Sequence, residues 1–147
     1  MRYLLQVGRF LALTLLLLVA AGCSKNYKLA PVSGRVTMDN RPLANAEVSF
    51  YPTGGKDLPY ATGTTDEQGN YKLEAFADGR TTPGAVVGEN RVMISVSKIS
   101  GTKKIVNPRE LSEGVDLVPA KYNTDSELKC TVPPEGKQDA NFDLKSR

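Results

Sequence analysis

The chain has 147 residues, with 19 Lys and Arg against 16 Asp and Glu, and it contains no histidine. The lack of histidine excludes Ser-His-Asp and Cys-His catalysis and any His-ligated zinc or copper site within this chain. A formal net charge of only +3 does not indicate a nucleic-acid-binding protein, for which a strongly basic surface is expected.

The start of the chain predicts an export signal. Arg2 and Arg9 make it positive, and residues 10–21 are almost entirely apolar. This run is shorter than the roughly 20 apolar residues of a membrane-spanning helix, but it has the length and the flanks of a signal peptide. We therefore expect residues 1–22 to be a signal peptide that is removed.

The predicted cleavage site reads Val19-Ala20-Ala21-Gly22-Cys23. It resembles the lipobox of bacterial lipoproteins, although Ala20 stands where that motif usually has leucine. The resemblance implies that Cys23 carries a diacylglyceryl group and anchors the protein to a membrane. Two alternatives stay open, namely an ordinary cleaved signal with an incidental cysteine and an uncleaved anchor.

The residues that follow Cys23 bear on the location of the protein. Ser24 takes the place where an inner-membrane retention signal would have aspartate, so the lipoprotein resemblance implies the outer membrane in an organism that has one. Residues 23–30 are short and polar and are expected to form a lipidated tether. Residues 31–147 are then long enough for one domain with its own core.

Period-two alternation of apolar and polar residues recurs along the mature chain and predicts half-buried strands. The clearest example is residues 91–98, where Val92, Ile94 and Val96 alternate with polar residues or methionine. Further strands are expected at residues 32–38, 47–51, 60–65, 70–75, 128–132 and 142–144, with loops at residues 52–59, 77–89 and 99–122. About seven strands without a long helical period predict an all-β fold, an antiparallel seven-stranded β-sandwich.

Three short motifs occur in order along this predicted domain. They are G-x-V at Gly34, P-L-x-x-A-x-V from Pro42, and T-D-x-x-G-x-Y-x-L from Thr65. Together they resemble the carboxypeptidase regulatory-like domains, which are small transthyretin-like (prealbumin-like) sandwiches. The resemblance implies a rigid binding or spacer module rather than an enzyme, and it is thin beyond Ile99. In physical terms Gly34 is expected where another backbone approaches closely.

Several residues are candidates for chemical sites. Cys130 is in phase with apolar neighbours and is expected to be a buried hydrophobe rather than a reactive thiol. Asp66 is expected to close a turn rather than to bind calcium, because the residues after it lack the spacing of a calcium loop. Three Ser-x-x-Lys matches, at Ser95, Ser100 and Ser126, lie in predicted strands or loops and not on the helix that this nucleophile motif requires.

Tyrosines offered one further possibility, a sugar-binding surface. Tyr51, Tyr60 and Tyr122 are far apart in the sequence and form no visible cluster, so packing in the core or loops is the expected role. A recognition surface is expected on the loops, above all at residues 52–59 and 99–122.

Two functions follow from these observations. The first is a non-catalytic, lipid-anchored protein of the cell envelope that acts as a binding or structural module, with the membrane as one partner through Cys23 and an envelope protein or glycan as another. The alternative is a small glycan-acting enzyme that uses carboxylates alone, for which two acids would have to converge across a groove at roughly 5–10 Å. No cofactor, metal, nucleic acid or small-molecule substrate is predicted.

Overall fold

The structure is a computed structural model that describes residues 27–77, 79–96 and 117–146. The predicted signal peptide, Cys23, Ser24 and most of the predicted loop 99–122 lie outside the described residues. Within them the chain is built from strands and one 3-10 turn at Ala120–Tyr122. The strands are β1 Leu29–Ala30, β2 Ser33–Met38, β3 Arg41–Pro42, β4 Glu47–Pro52, β5 Ala61–Thr64, β6 Asn70–Lys72, β7 Glu74–Ala77, β8 Arg80–Pro83, β9 Ala85–Val86, β10 Gly88–Ser95, β11 Lys129–Val132 and β12 Phe142–Leu144.

The larger sheet has the strand order β11-β10-β4-β5-β7-β8, and all its neighbouring strands are antiparallel. Its centre is the pair β10 and β4, in which Val92 lies opposite Phe50 and Ile94 lies opposite Val48. These four side chains are fully buried, because alternate residues of a strand point to the same face. The predicted inward face of residues 91–98 is thereby confirmed for Val92, Ile94 and Val96.

The smaller sheet is organised around β2. One side of β2 pairs in antiparallel fashion with β3 and β6, and the other side pairs in parallel with β12. The parallel pair departs from the purely antiparallel arrangement that the sequence predicted. Two parallel strands must be joined by a long connection. Here β12 is the parallel neighbour of β2, and the chain from β3 to β11 lies between the two strands.

Both sheets contribute side chains to one core. Phe50 of the larger sheet meets Phe142 of the smaller one edge to face, with ring centroids 6.2 Å apart. Val36 and Leu144 of the smaller sheet are also fully buried in the same cluster. Gly34 has the close approach that was predicted for it, because a Cβ atom there would lie 2.0 Å from the carbonyl oxygen of Ala140.

Residues 77–89 were predicted to be a loop, but they contain strands. They hold β8, β9 and the start of β10. Gly79, with φ of +72°, closes a hairpin between β7 and β8, and Thr81 and Thr82 are β-branched residues that suit a strand. The glycines and proline of this segment therefore mark turns between short strands.

The first described residues also pair. Leu29 and Ala30 form β1, which is antiparallel to β9, and Ala30 is buried. The predicted tether, residues 23–30, thus overlaps a strand at its last two residues.

The all-β prediction is confirmed, and the sheets are antiparallel except at β2 and β12. Twelve short strands in the described residues replace the seven that were predicted, and the transthyretin-like assignment stays a prediction. Among residues 27–77, 79–96 and 117–146, no helix has the length and apolar character needed to cross a bilayer.

Candidate functional site

The outer face of the larger sheet carries a line of side chains that runs across six strands. Arg91 on β10 lies opposite Tyr51 on β4. Phe50 pairs with Ala61, and Ala61 pairs with Ala75. When these antiparallel registers are extended by one residue, Tyr51 comes opposite Tyr60, and Tyr60 comes opposite Phe76. Lys129 on β11 and Thr81 on β8 complete the line at its two ends. We call Tyr51, Tyr60 and Phe76 the aromatic row.

The aromatic row is exposed. The relative exposures are 37% for Tyr51, 47% for Tyr60 and 60% for Phe76, and among the described residues Leu117 is the one other exposed large hydrophobic residue. Single exposed apolar residues are common, whereas a contiguous group of them marks an interaction site. Tyr51 and Tyr60 are in direct contact, and the strand register places Phe76 next along the same line, so three of these four exposed residues form such a group.

The rings at the centre of the row are ordered by contacts with one another. Tyr51 and Tyr60 stack with centroids 5.7 Å apart and an angle of 19° between their planes. The Arg91 guanidinium carbon lies 6.0 Å from the centroid of Tyr51, which is within the range of a cation–π contact. Tyrosine and arginine are the residue types that dominate the energetics of binding surfaces, and here they are held side by side.

An ion pair adjoins the cationic end of the row. Lys129 Nζ donates to Glu89 Oε1 at 3.1 Å, and both side chains are about half exposed. The Lys129 hydrogen bond, together with the charge of that lysine, lowers the pKa of the Glu89 carboxyl. Exposed pairs of this kind contribute little to stability, so the main effect of this one is to fix the charge pattern beside the row.

A second feature is a shallow polar groove of about 560 Å³ between β2, β6 and the chain near residue 140. Its lining includes one carboxylate, Asp66. That carboxylate accepts hydrogen bonds from the backbone N–H groups of Asn70 at 2.8 Å and of Gln68 at 2.9 Å. The Asn70 backbone bond is the largest cause of the lowered pKa of Asp66. Asp66 therefore has the turn-closing role that was predicted for it.

A smaller groove lies beside Tyr27 and Lys28, and it too has a single carboxylate, Glu89, in its lining. The carboxylate-only enzyme requires two acids that face each other across a groove. In each of these two grooves the one lining carboxylate is already engaged, Asp66 by its turn and Glu89 by Lys129. Neither groove has the arrangement that this chemistry needs.

Cys130 and Tyr71, two polar groups on the inner side of the sheets, serve structure. Cys130 is 8% exposed, and burial raises the pKa of its thiol, which opposes formation of the reactive thiolate. Its predicted burial is confirmed. Tyr71 donates its hydroxyl hydrogen to the Ala140 carbonyl at 2.6 Å, and burial raises its pKa.

The Ser-x-x-Lys pair that lies within the described residues is not brought together as a reactive pair. Ser126 is buried and donates to the Val92 carbonyl at 2.6 Å, while Lys129 is bound to Glu89 at the surface. Residues 27–77, 79–96 and 117–146 hold no group of three or more His, Cys, Asp or Glu side chains with the spacing of a metal site.

The aromatic row differs from what the sequence predicts. Tyr51 and Tyr60 are expected there to pack in the core or loops, and a recognition surface is expected on loops. The available signal was the phase of β4, in which Tyr51 lies on the face opposite Val48 and Phe50 and must therefore point outward. The position of Tyr60 and Phe76 beside it depends on the strand order and the register. Tyr122 is separate from the row in its contacts, since it packs against the core and its hydroxyl accepts from the Lys145 N–H at 3.1 Å.

Comparison with known proteins identifies no relative: no family model, no curated protein and no solved structure matches this chain.

Proposed function

We propose that this protein is a non-catalytic, lipid-anchored component of the cell envelope, a binding module of the carboxypeptidase regulatory-like type. The observation that carries the binding role is the aromatic row, an exposed group of rings on a sheet whose other face is fully engaged in the core. The anchoring role rests on the lipobox-like stretch that ends at Cys23.

The fold supports an anchored module in a further way. The first strand begins at Leu29, six residues after Cys23. Six residues span at most about 20 Å when fully extended. A domain attached by so short a segment stays close to the lipid surface, and two acyl chains on one cysteine provide stable attachment.

A cysteine exchange tests the anchor. The full chain, produced in a bacterial host and labelled with a radioactive fatty acid, is expected to carry the label and to enter the detergent phase on partitioning. Cys23→Ser is expected to lose the label and to remain in the aqueous phase, because serine has no thiol to accept the diacylglyceryl group.

The second cysteine provides the matched control. Cys130→Ser replaces a buried thiol with a hydroxyl group of similar size, and this variant is expected to keep the fatty-acid label. If the Cys23→Ser chain still enters the detergent phase without processing, an uncleaved anchor is the better interpretation and the proposed lipidation is wrong.

A further inference from the structure

The aromatic row lies at one particular end of the larger sheet. At this end β4 finishes at Pro52 and β10 starts at Gly88, and Tyr51 is one residue from the end of its strand. The first described residues are at the same end. The Lys28 carbonyl accepts from the Val87 N–H at 2.9 Å, and Lys28 lines a groove together with Pro52 and Gly88. We call this the tether end of the sheet.

The length of chain before Lys28 limits how far the tether end is from the anchor. Lys28 follows Cys23 by five residues, which span at most about 17 Å in extended form. If acyl chains on Cys23 sit in the bilayer, the tether end is held near the headgroups. The aromatic row, located on that end, is then the part of the outer face that a small tilt of the domain brings to the lipid.

The side chains at this end suit an interface between water and lipid. Tyrosine has an apolar ring and a polar hydroxyl, and it concentrates at headgroup level in membrane proteins. Phe76, the most exposed large hydrophobic side chain of the described residues, gains most from such contact. Cations near a membrane surface are attracted to anionic lipids. Exposed cations at or near the tether end are Lys28, Lys56, Arg80 and Arg91.

Exposed acids at the same end are fewer among the described residues. Asp57 lies on the loop between β4 and β5, Glu89 lies on β10, and Glu135 lies in the turn that follows β11. Glu89 is neutralised in part by its ion pair with Lys129. Among the described residues, exposed cations still outnumber exposed acids at the tether end, and this favours a surface that carries phosphate groups.

A glycan is the main competing partner for exposed tyrosines. A sugar ring binds by packing its C–H groups on the open face of an aromatic ring. One face of Tyr51 is turned to Tyr60 in the stack, and the Arg91 guanidinium lies over the same ring at 6.0 Å. The Tyr51 ring is thus already in contact with a second ring and a guanidinium group, which leaves less of it open to a sugar and favours the headgroup region of a bilayer.

From these observations we infer that the aromatic row lies against the lipid surface in which the protein is anchored and sets the orientation of the domain on it. This inference rests on the proposed lipid anchor. It makes the tether end of the outer face the membrane-contacting part of the larger sheet, and it leaves the opposite end of the sheet directed away from the bilayer.

Fluorescence quenching tests the inference, because the chain contains no tryptophan and a single one can be introduced. Tyr60→Trp places the reporter in the aromatic row and keeps its aromatic character. Glu67→Trp is the matched control, since Glu67 is exposed in the turn after β5, at the opposite end of the sheet. Each acylated full chain is reconstituted in vesicles of phosphatidylethanolamine and phosphatidylglycerol, with or without lipids brominated near the top of the acyl chain.

The brominated lipid is expected to remove most of the emission of the Tyr60→Trp protein and to leave that of the Glu67→Trp protein nearly unchanged. Equal and weak quenching of the two acylated proteins overturns the inference while the anchor stands. A blue shift of the Tyr60→Trp emission with soluble peptidoglycan fragments, without quenching by lipid, assigns the row to a glycan and also overturns it. Absence of the fatty-acid label on Cys23 overturns the proposed anchor, and the inference with it.

Discussion

The two faces of β4 and β10 are made from the same two stretches of chain but have opposite characters. On the inner face Val48, Phe50, Val92 and Ile94 are fully buried. On the outer face, one residue away along each strand, Tyr51 and Arg91 are exposed. Alternation in a strand thus separates the residues that hold the fold together from those available for contact. Substitutions on the two faces are expected to give different kinds of loss.

The largest effect is expected on the inner face. Ile94→Ala removes a fully buried side chain and should lower the free energy of unfolding by about 2–5 kcal/mol, since the cavity is not refilled. Met93→Ala on the outer side of the same strand is the control. Met93 is half-buried. Met93→Ala should lower the free energy of unfolding by no more than about 1 kcal/mol, because only part of the methionine side chain is removed from a buried environment. Urea denaturation measures both values, and similar losses for the two variants would contradict the assignment of faces.

A polar contact at the far end of β5 gives the next effect. The buried Thr65 hydroxyl accepts from the Ala46 N–H at 2.8 Å and donates to the Leu43 carbonyl at 2.6 Å. Thr65→Val keeps the shape but leaves those buried groups without their partner, and we expect a loss of about 1–3 kcal/mol.

The control for Thr65 is Thr62, on the strand β5 that ends one residue before Thr65. Thr62 is half-buried on the outer face, and Thr62→Val should change the free energy of unfolding by no more than about 0.5 kcal/mol. If both valine variants unfold at the same urea concentration, the Thr65 hydroxyl is not a structural hydrogen-bonding group.

The smallest effect is expected at the surface turn and depends on pH. The Asn70 backbone bond and its neighbours lower the pKa of Asp66 in the folded state below the value of about 4 in an unfolded chain. A carboxyl group of this kind stabilises the fold fully above that unfolded value, and its contribution is lost as the pH falls through the lower folded pKa. The advantage of the wild type over Asp66→Asn should therefore be larger at neutral pH than in strong acid.

Thermal unfolding from neutral pH to about pH 2.5 measures this difference across the pH window in which the carboxyl titrates. The pKa values of Asp39 and Asp139 are also lowered, so both proteins are expected to lose stability in acid, and the wild type should lose more. A constant difference between wild type and Asp66→Asn over the whole range would show that the turn gains nothing from the charge of Asp66.

Local pattern was sufficient for much of the strand arrangement. The alternation in β2, β4 and β10 predicted both the strands and their buried faces, because the side-chain period of a strand is a property of the backbone alone. The Asp66 turn and the burial of Cys130 could also be predicted from the sequence, since each depends on a few neighbouring residues. The strands β8 and β9 could not be predicted, because two to four residues between glycines become strands only when a neighbouring strand pairs with them.

The sequence by itself determined the all-β class, the alternation of the principal strands and the position of a close backbone approach at Gly34. Only the tertiary structure decided that Tyr51, Tyr60 and Phe76 form one row, that β12 runs parallel to β2, and that Lys28 lies at the same end of the sheet as the row. The physical reason is register. Residues 9 and 16 positions apart along the chain become neighbours through the hydrogen bonds between strands, and no local preference of a tyrosine or a phenylalanine specifies which strand will lie beside it.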